Sequence, residues 1–391
     1  MTIPYVTPEH LARYLSLHDF EPAARRYLPR PIFGYVAGFV EDGQSESDNR
    51  LAFARYGLRT RILVNISKRQ QTLSLFGREY DSPVGIAPMG ISALTAYRGD
   101  IIQARAAQTA NVPCIMSGSS LIRLEEVMEE APGTWFQAYL PSDESQIMAL
   151  IDRVAAAGVE TLVLTVDTPV AANRENNVRA GFSTPLKPNM ALALQGITHP
   201  RWLLGTFLRT IAKHGMPHFE NNHATRGAPI MSKSVMRDLA DRGYLDWSHV
   251  ARIRKRWTGT LIIKGILCAA DAAKARQSGI DGIIVSNHGG RQLDGAAAPL
   301  RVLPEIVDVS GDMVVMIDSG IRRGTDIIKA LALGAKCAFV GRPLNYAGAV
   351  AGEAGVRHGI ELIKSEISRD MGMMGVASLT DLDSSFLIER N

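Results

Sequence analysis

Short runs of apolar residues recur along the chain, separated by segments in which apolar residues follow a helical period. Eight of these runs are apolar at almost every position and rich in β-branched residues, which is typical of strands buried on both faces of a parallel sheet. They lie at 82–88, 113–118, 134–140, 161–167, 261–266, 282–287, 314–320 and 337–343. Eight such strands with helices between them predict an α/β protein, a (β/α)8 TIM barrel, with a doubly wound parallel sheet as the weaker alternative.

The gaps between the strands predict helices and one long insertion. Helical patterns cover 99–111, 143–157, 271–278 and 325–333. Because far more chain separates Asp167 from Leu261 than one crossover needs, we expect an insertion after the fourth strand. The predicted organisation is an N-terminal helical layer packed on the barrel at 1–60, the barrel at 61–365 with an insertion at about 187–235, and a C-terminal helical tail at 366–391.

Composition is that of an ordinary globular protein. The chain has 391 residues, of which 46% are hydrophobic and 21% charged, and its net charge of +4 is too small to indicate a nucleic-acid partner. Cys114, Cys268 and Cys337 lie in apolar stretches, so small buried side chains are favoured over redox groups, and no metal site is predicted. The N-terminus lacks the apolar core of a signal peptide and no run could span a bilayer, so we expect a cytoplasmic protein.

Most of the predicted strands end in polar residues. In a (β/α)8 barrel, the carboxyl ends of the strands form the face that carries the active site. We therefore expect one cavity to collect Gln137, Tyr139, Thr165, Asp167, Lys264, Ser286, His288, Asp318 and Arg342.

The segment VSNHGGRQLDGA at 285–296 carries the most specific chemistry. His288 titrates near neutral pH and could accept a proton, the two glycines after it let backbone approach a ligand, and Arg291 could hold a carboxylate. A single histidine at a strand end is more often a structural residue. Its expected proximity to Asp167, Arg174 and Arg291 favours a catalytic role instead.

Two later segments are suited to a phosphate group. DSGIRRGTDIIKALALGA at 318–335 and FVGRP at 339–343 place glycines and arginines after the seventh and eighth strands. Barrels commonly bind phosphate there through backbone amides and a helix N-terminus. The two segments together predict a phosphate-bearing ligand.

The chain as a whole resembles the FMN-dependent L-2-hydroxy acid oxidases and dehydrogenases, a family that includes glycolate oxidase, L-lactate dehydrogenase and mandelate dehydrogenase. The resemblance is carried by LPRPIFGYVAGFVED (28–42), NRLAF (49–53), IAPMG (86–90), WFQAY (135–139), TVDTP (165–169), IIKGI (262–266), SNHGGRQLDG (286–295) and GRP (341–343). It implies a barrel that binds FMN and oxidises an L-2-hydroxy acid, similar to lactate or mandelate, to the 2-keto acid.

The resemblance also implies roles for individual residues. His288 is matched to the base that removes a substrate proton, and Asp167 would stabilise the resulting imidazolium, as an aspartate does in a hydrolase triad. Catalysis is thereby assigned to His288, Asp167, Tyr139 and Arg291, and substrate binding to Tyr35, Tyr139, Arg174, His288 and Arg291.

For FMN, the resemblance places Lys264 beside the flavin N1 and O2, where a cation favours the anionic reduced ring. The other residues matched to the ring, ribityl chain and phosphate are Pro88, Met89, Gly90, Ser117, Gln137, Thr165, Ser286, Asp318, Ser319, Gly320, Arg322, Gly341 and Arg342.

Three positions depart from glycolate oxidase and its relatives. Ser119 replaces a tryptophan over the substrate, which predicts a wider pocket, and Met89 replaces the more usual threonine. Gly90 stands where oxidases tend to have alanine and several dehydrogenases have glycine. We therefore expect a quinone-type electron acceptor, with a peroxide-forming oxidase as the alternative and a non-catalytic flavin- or ligand-binding barrel as a remote one.

The insertion at 187–235 is basic, with six basic residues and one acidic residue giving a net charge of +5. Its segment RWLLGTFLRTIAK at 201–213 places Leu204, Phe207, Leu208 and Ile211 at helical spacing. HPRW at 199–202 followed by HGMPHFEN at 214–221 resembles the membrane-binding segment of mandelate dehydrogenase, so attachment to the inner face of the cell membrane through a mobile segment is one prediction. A lid helix packed on the barrel, or an oligomer contact, is the other, and the resemblance implies a homotetramer.

Overall fold

Eight parallel strands form the centre of the protein in the computed structural model, which describes residues 5–141, 143–183, 190–232 and 242–390. The strands are β1 (Val84–Ile86), β2 (Ile115–Ser117), β3 (Trp135–Ala138), β4 (Thr161–Thr165), β5 (Thr260–Ile266), β6 (Gly282–Val285), β7 (Val314–Ile317) and β8 (Cys337–Val340). Consecutive strands pair in parallel from β2 to β8, β8 pairs with β1, and a bridge between Ile86 and Cys114 joins β1 to the start of β2. The predicted TIM barrel is confirmed.

The strand interiors explain the continuous apolar runs in the sequence. Alternate residues face the barrel axis, where Val163, Ile262, Ile284, Met316 and Phe339 form a buried cluster of their own. The remaining strand residues belong to the larger core between the sheet and the helices. A hairpin of Leu73–Leu75 and Arg78–Tyr80 packs on the inner cluster and covers one end of the barrel, so the opposite end remains for the active site.

In the described part of the chain, eight helical segments surround the strands. They are α1 (Gly99–Ala110), α2 (Leu124–Glu130), α3 (Glu144–Ala156), α4 (Trp247–Arg256), α5 (Ala269–Gln277), α6 (Pro299–Ser310), α7 (Gly324–Ala332) and α8 (Arg342–Met374), which has a kink at Ala351 and Gly352. The four helices predicted from the sequence correspond to α1, α3, α5 and α7. The segment of α6 was not predicted as a helix; it begins with Pro299 and contains Pro304, a residue that usually breaks helices.

The N-terminal layer contains the helices Phe20–Tyr27, Arg30–Ala37 and Gln44–Ala54. It is not entirely helical, because Tyr56–Leu58 forms an antiparallel pair with Leu387–Glu389 near the C-terminus. The two ends of the chain are therefore joined in a small sheet that no local sequence pattern indicated.

The insertion after β4 contains the helices Glu175–Ala180, Met190–Thr198, Pro200–Trp202 and Arg209–His214, with a π-helical turn at Leu203–Leu208. Trp202, Phe219 and Ile230 are buried in the main core, and the Trp202 Nε1 donates a hydrogen bond to the Leu94 carbonyl oxygen at 2.7 Å. Residues 187–189 and 233–235 of the predicted insertion lie outside the described residues. Its described part is packed against the barrel.

None of the helices in the part of the chain that the structure describes has the length and hydrophobicity required to cross a membrane.

Candidate active site

A cavity of about 850 Å³ opens at the carboxyl ends of the strands. Tyr35 reaches it from the N-terminal layer, Arg174 from the loop after β4, and Tyr139, Lys264 and His288 from the ends of β3, β5 and β6. The barrel topology therefore brings together residues that are up to about 250 positions apart in the chain.

His288 lies between an acid and a phenol. Its Nδ1 is 2.9 Å from the Asp167 Oδ1, and its Nε2 is 3.4 Å from the Tyr139 hydroxyl. An ionised Asp167 can only accept a hydrogen bond, so Nδ1 carries the proton and Nε2 offers a lone pair toward the cavity. This arrangement can accept a proton from a bound molecule.

Burial and charge set the ionisation of this pair. Burial lowers the pKa of His288 below its usual 6.5 and outweighs the opposing attraction of Asp167. Burial would raise the pKa of Asp167, but the nearby His288 and Lys264 outweigh it, so its pKa lies below the usual range. At neutral pH the histidine is therefore a neutral base beside a carboxylate.

The backbone at His288 has an unusual conformation that aims its side chain. His288 has a φ of +59°, and Gly289 and Gly290 continue with φ values of +69° and +72°. The Ser286 hydroxyl accepts the His288 amide and the Ser319 hydroxyl accepts the Gly289 amide. A Cβ on Gly290 would lie 2.6 Å from the Glu46 nitrogen, so this close approach requires glycine.

Two arginines form a cationic corner next to the base. The Arg174 Nε donates to the Arg291 carbonyl oxygen at 2.9 Å, and the Arg291 Nη1 donates to the Gly38 carbonyl oxygen at 2.7 Å. Burial, together with repulsion from Arg174, lowers the pKa of Arg291 to about 9. The Arg291 guanidinium remains charged at neutral pH, and a carboxylate bound beside Arg291 and Arg174 would relieve this repulsion.

Lys264 is buried with an acidic partner. Its Nζ lies 3.0 Å from the Asp318 Oδ2 and donates to the Ser286 hydroxyl at 2.7 Å. Burial would lower the pKa of Lys264, but attraction to Asp318 and Asp167 outweighs it and the pKa is raised. The lysine is a fixed positive charge in the cavity wall.

Glycines and arginines meet at another part of the cavity, as expected from the two segments that are suited to binding a phosphate group. Gly320, Arg322, Gly341 and Arg342 line it together. The Arg342 Nη2 donates to the carbonyl oxygens of Gly38 at 2.9 Å and Gly289 at 2.7 Å. Burial and the nearby Arg342 lower the pKa of Arg322 to about 10, so Arg322 remains charged at neutral pH and suits an anion.

Buried polar atoms in the same wall are suited to a bound cofactor. The Gln137 Nε2 and the Thr165 Oγ1 are buried and have no hydrogen-bond partner among the residues described. The Ser117 hydroxyl donates to the Gln137 Oε1 at 3.2 Å and so holds the amide in place. A bound group rich in hydrogen-bonding atoms would satisfy both atoms.

The position of Gly90 is crowded. A Cβ built there would lie 3.2 Å from both the Ser119 Cβ and the Tyr35 hydroxyl. Any side chain at this position would push on the substrate side of the cavity. Ser119 itself lines the cavity and leaves space where a large aromatic ring would not.

Most of the residues predicted from the sequence line the cavity directly. Four lie behind the lining: Asp167, Ser117, Gln137 and Ser286. Lining residues that no sequence pattern indicated include Phe182, Phe219, Arg242 and Gln292. They come from the loops after β4 and β6, where no periodic pattern indicates which side chains turn inward.

Comparison with known proteins identifies the family. A sequence profile described as FMN-dependent dehydrogenase matches residues 24–389. The chain belongs to the FMN-dependent dehydrogenase family. It is 39% identical over 379 residues to an L-lactate dehydrogenase of Pectobacterium atrosepticum, covering 95% of this chain and 96% of that protein. An L-lactate dehydrogenase of Azorhizobium caulinodans is 38% identical over 378 residues, covering 95% and 98%.

Solved structures are similar over almost the whole chain. A crystal structure described as the monotopic membrane protein (S)-mandelate dehydrogenase matches with a TM-score of 0.88 and 33% identity, covering 96% of this chain and 99% of that one. A mandelate oxidase structure matches with a TM-score of 0.80 and 33% identity, covering 96% and 98%. The chain is therefore an FMN-dependent oxidoreductase of the 2-hydroxy acid dehydrogenase family.

Proposed function

We propose that this enzyme oxidises an L-2-hydroxy acid, similar to lactate or mandelate, to the corresponding 2-keto acid. The observation that carries the proposal is the neutral His288, held by Asp167 at 2.9 Å and placed beside the cationic corner of Arg174 and Arg291. A 2-hydroxy acid has a carboxylate for the arginines and a hydroxyl and an α-hydrogen within reach of a base.

In this proposal Arg174, Arg291 and the Tyr35 phenol hold the substrate carboxylate. The His288 Nε2 takes one proton, either from the α-carbon or from the hydroxyl if the α-hydrogen leaves with its electron pair. Asp167 stabilises the imidazolium that forms, and the Tyr139 hydroxyl contacts the substrate oxygen. Fixing the carboxylate converts the reaction into one between groups already in position, which lowers its barrier.

We propose that the unpartnered Gln137 amide and Thr165 hydroxyl hydrogen-bond the FMN ring system, that Lys264 lies beside the ring, and that Arg322 and Arg342 bind the phosphate. The remaining FMN contacts proposed are Pro88, Met89, Gly90, Ser117, Ser286, Asp318, Ser319, Gly320 and Gly341. The flavin, when bound, supplies the two-electron oxidant that no side chain provides.

The test is anaerobic bleaching of the flavin in the purified holoenzyme. The L enantiomers of lactate and mandelate are each mixed with the enzyme, with the D enantiomers as controls. We expect loss of the oxidised flavin absorbance with at least one L acid and formation of one keto acid per flavin. No bleaching with any L-2-hydroxy acid would leave only the non-catalytic flavin-binding barrel.

We also propose that the reduced enzyme passes its electrons to a quinone. The support is the glycine at position 90, where the resemblance implies glycine in several dehydrogenases, and the similarity to a membrane dehydrogenase. Stopped-flow reoxidation by a soluble quinone and by oxygen separates the alternatives. Fast reoxidation by oxygen with one peroxide per flavin would favour an oxidase instead.

Peripheral attachment to an anionic membrane surface at the inner face of the cell membrane is a further part of the proposal. The insertion leaves a row of apolar side chains exposed: Met190, Leu194, Ile197, Leu204 and Leu208. Basic residues Arg201 and Lys213 are exposed beside them. This combination suits an interfacial helix, which buries apolar area while its cations contact anionic headgroups.

We also propose that the protein forms a homo-oligomer, a tetramer by family resemblance, and that a different surface forms the interface. Ile62, Leu63 and Val64 are exposed in a loop, Leu63 completely, and exposed Met373 lies in the same region, close to the Arg61–Val64 turn. Contiguous exposed apolar residues commonly mark a protein interface. Light scattering coupled to size exclusion is expected to give a tetramer, and Leu63→Asp is expected to reduce the mass; a monomeric wild-type protein would contradict the proposal.

A further inference from the structure

Arg242, a third arginine of the cavity, has no place in the reaction described above. It lines the same cavity as Arg174 and Arg291. Its guanidinium carbon lies 4.9 Å from the centre of the Tyr139 ring. A residue at this position can touch a substrate whose hydroxyl lies at Tyr139.

The contacts of Arg242 with the described residues include one from its backbone and one from its guanidinium. Its amide donates to the Pro169 carbonyl oxygen at 2.8 Å, and its Nε donates to the Leu140 carbonyl oxygen at 3.3 Å. These contacts tie the residue to the segments that follow β3 and β4. The guanidinium is therefore directed to the cavity wall by fixed contacts instead of extending into solvent.

The local environment of Arg242 is suited to an anion. Burial lowers its pKa, while the Tyr139 and Tyr244 phenols act in the opposite direction. A half-buried guanidinium gains most from a carboxylate that it can bind through paired N–H groups. The carboxylate at the reacting carbon already has Arg174 and Arg291, so a carboxylate at Arg242 has to be a second one.

The direction of the substrate side chain agrees with this assignment. A 2-hydroxy acid anchored at Arg291 with its hydroxyl at Tyr139 has one remaining substituent on its α-carbon. The cavity lining also includes Val170, Phe182 and Arg242, and we place this substituent against them. Aliphatic carbons of the side chain would contact the apolar residues, and a terminal acid would reach the guanidinium.

We propose that Arg242 binds a second carboxylate at the end of the substrate side chain, so that the enzyme prefers L-2-hydroxy dicarboxylic acids to monocarboxylic acids of the same length. The inference rests on the proposed oxidation of L-2-hydroxy acids at the same site.

The test compares pairs of substrates that differ only in a terminal carboxylate and methyl group. L-malate is paired with L-2-hydroxybutyrate, and L-2-hydroxyglutarate with L-2-hydroxyvalerate, each as kcat/KM for anaerobic flavin reduction in the holoenzyme. We expect the dicarboxylate to be favoured about 10- to 100-fold in at least one pair, as a charge-assisted contact gives. Arg242→Met is expected to remove most of that ratio, and Arg242→Lys to keep part of it.

Arg256→Met is the matched control, because Arg256 lies on α4 in an exposed ion pair with Asp152. It is expected to leave the ratio unchanged. Equal kcat/KM values within both pairs in the wild-type enzyme would overturn the inference, as would a ratio that survives Arg242→Met. If Arg242→Met slows both members of a pair equally, Arg242 only positions Tyr139. Flavin bleaching by a monocarboxylic acid shows that the proposed function holds in each of these cases.

Discussion

Among the described residues that line the cavity, His288 alone has a side chain that is both neutral and basic at neutral pH. Its Nδ1 is occupied by Asp167 and its Nε2 faces Tyr139, so only one nitrogen can take a proton. Proton transfer to a positioned base commonly accelerates a reaction by about 10²- to 10⁴-fold.

Replacing His288 by Gln is expected to lower the rate of flavin reduction by about 10²- to 10⁴-fold. Gln keeps a polar side chain but cannot accept the proton. The FMN content is expected to stay at one per chain, since the proposed FMN contacts lie elsewhere in the cavity. Stopped-flow reduction and the flavin spectrum measure the two quantities, and an unchanged rate would exclude His288 as the base.

The pH dependence of kcat/KM follows from the same pair. His288 acts as a base only when neutral, and its pKa lies below 6.5, so the acid limb of the profile is expected to have its midpoint below pH 6.5. Asp167→Asn removes the attraction that raises the pKa of His288. The acid limb should then move to lower pH while the maximal rate falls, because the imidazolium loses its partner. If the acid limb does not move, it reports the titration of a group other than His288.

At the residue scale, the sequence predicted the polar side chains at strand ends because barrel topology alone brings them together. It could not predict Arg242 or Gln292, since their positions depend on how long loops fold back. Gln292 shows the difficulty: it lies in the predicted motif, yet only the folded loop shows its amide donating to the Asp167 carbonyl oxygen at 3.3 Å.

The insertion helices present two apolar faces, one packed and one exposed. Trp202 and Thr206 are buried against the barrel, and Phe207 is partly buried. Leu204 and Leu208 point outward and are 63% and 43% exposed. Helical spacing predicted a single apolar face of Leu204, Phe207, Leu208 and Ile211. In the structure, Phe207 packs on the core whereas Leu204 and Leu208 are exposed. Sequence periodicity cannot tell which of two adjacent apolar faces the core will cover.

The double variant Leu204→Ser, Leu208→Ser is expected to reduce sedimentation of the enzyme with anionic vesicles. Burial of a leucine side chain from water is worth about 1.5–3 kcal/mol, so losing two partly inserted leucines should weaken binding about tenfold or more. Leu15→Ser is the control, since Leu15 is exposed outside the insertion. Both proteins should still reduce flavin. If the double variant sediments as the wild-type protein does, the exposed leucines of the insertion do not contact the membrane.

Arg209 illustrates why charge along a helix is a poor guide to a membrane contact. It belongs to the basic insertion, yet its guanidinium carbon lies 3.9 Å from the centre of the Tyr97 ring. The Tyr97 hydroxyl is also 2.9 Å from the His214 Nε2. These contacts dock the helix Arg209–His214 on the segment before α1, so Arg201 and Lys213 remain as the better candidates for headgroups.

At the scale of the whole molecule, the alternation of strands and helices was enough to predict the barrel, because parallel strands with short crossovers have few ways to close. The pairing of Tyr56–Leu58 with Leu387–Glu389 could not be predicted in the same way. It joins segments more than 300 residues apart, and each strand has only three residues. Such a pairing depends on where the rest of the fold leaves the two ends.

FMN is expected to stabilise the whole protein strongly. In the proposed complex the unpartnered Gln137 and Thr165 atoms gain hydrogen-bond partners, and Arg322 and Arg342 gain an anion. A ligand at 100 times its Kd stabilises a fold by about 2.7 kcal/mol, so the apoprotein should melt several degrees higher when FMN is added. Riboflavin, which lacks the phosphate, should give a smaller shift if Arg322 and Arg342 bind that group. Equal shifts for the two would contradict the proposed phosphate site.

The left-handed backbone at His288 lowers the stability of the folded protein, and it also aims the imidazole at the cavity. A residue other than glycine in this region costs roughly 1–3 kcal/mol, whereas glycine adopts it readily. In an Asp167→Asn background, which removes the charge that the imidazole balances, His288→Gly is therefore expected to raise the melting temperature by a few degrees. The same change at His249, which lies in the helix α4, should give no such gain. A descendant of this protein released from selection for catalysis would be expected to lose the histidine early and to become more heat-resistant as it did so.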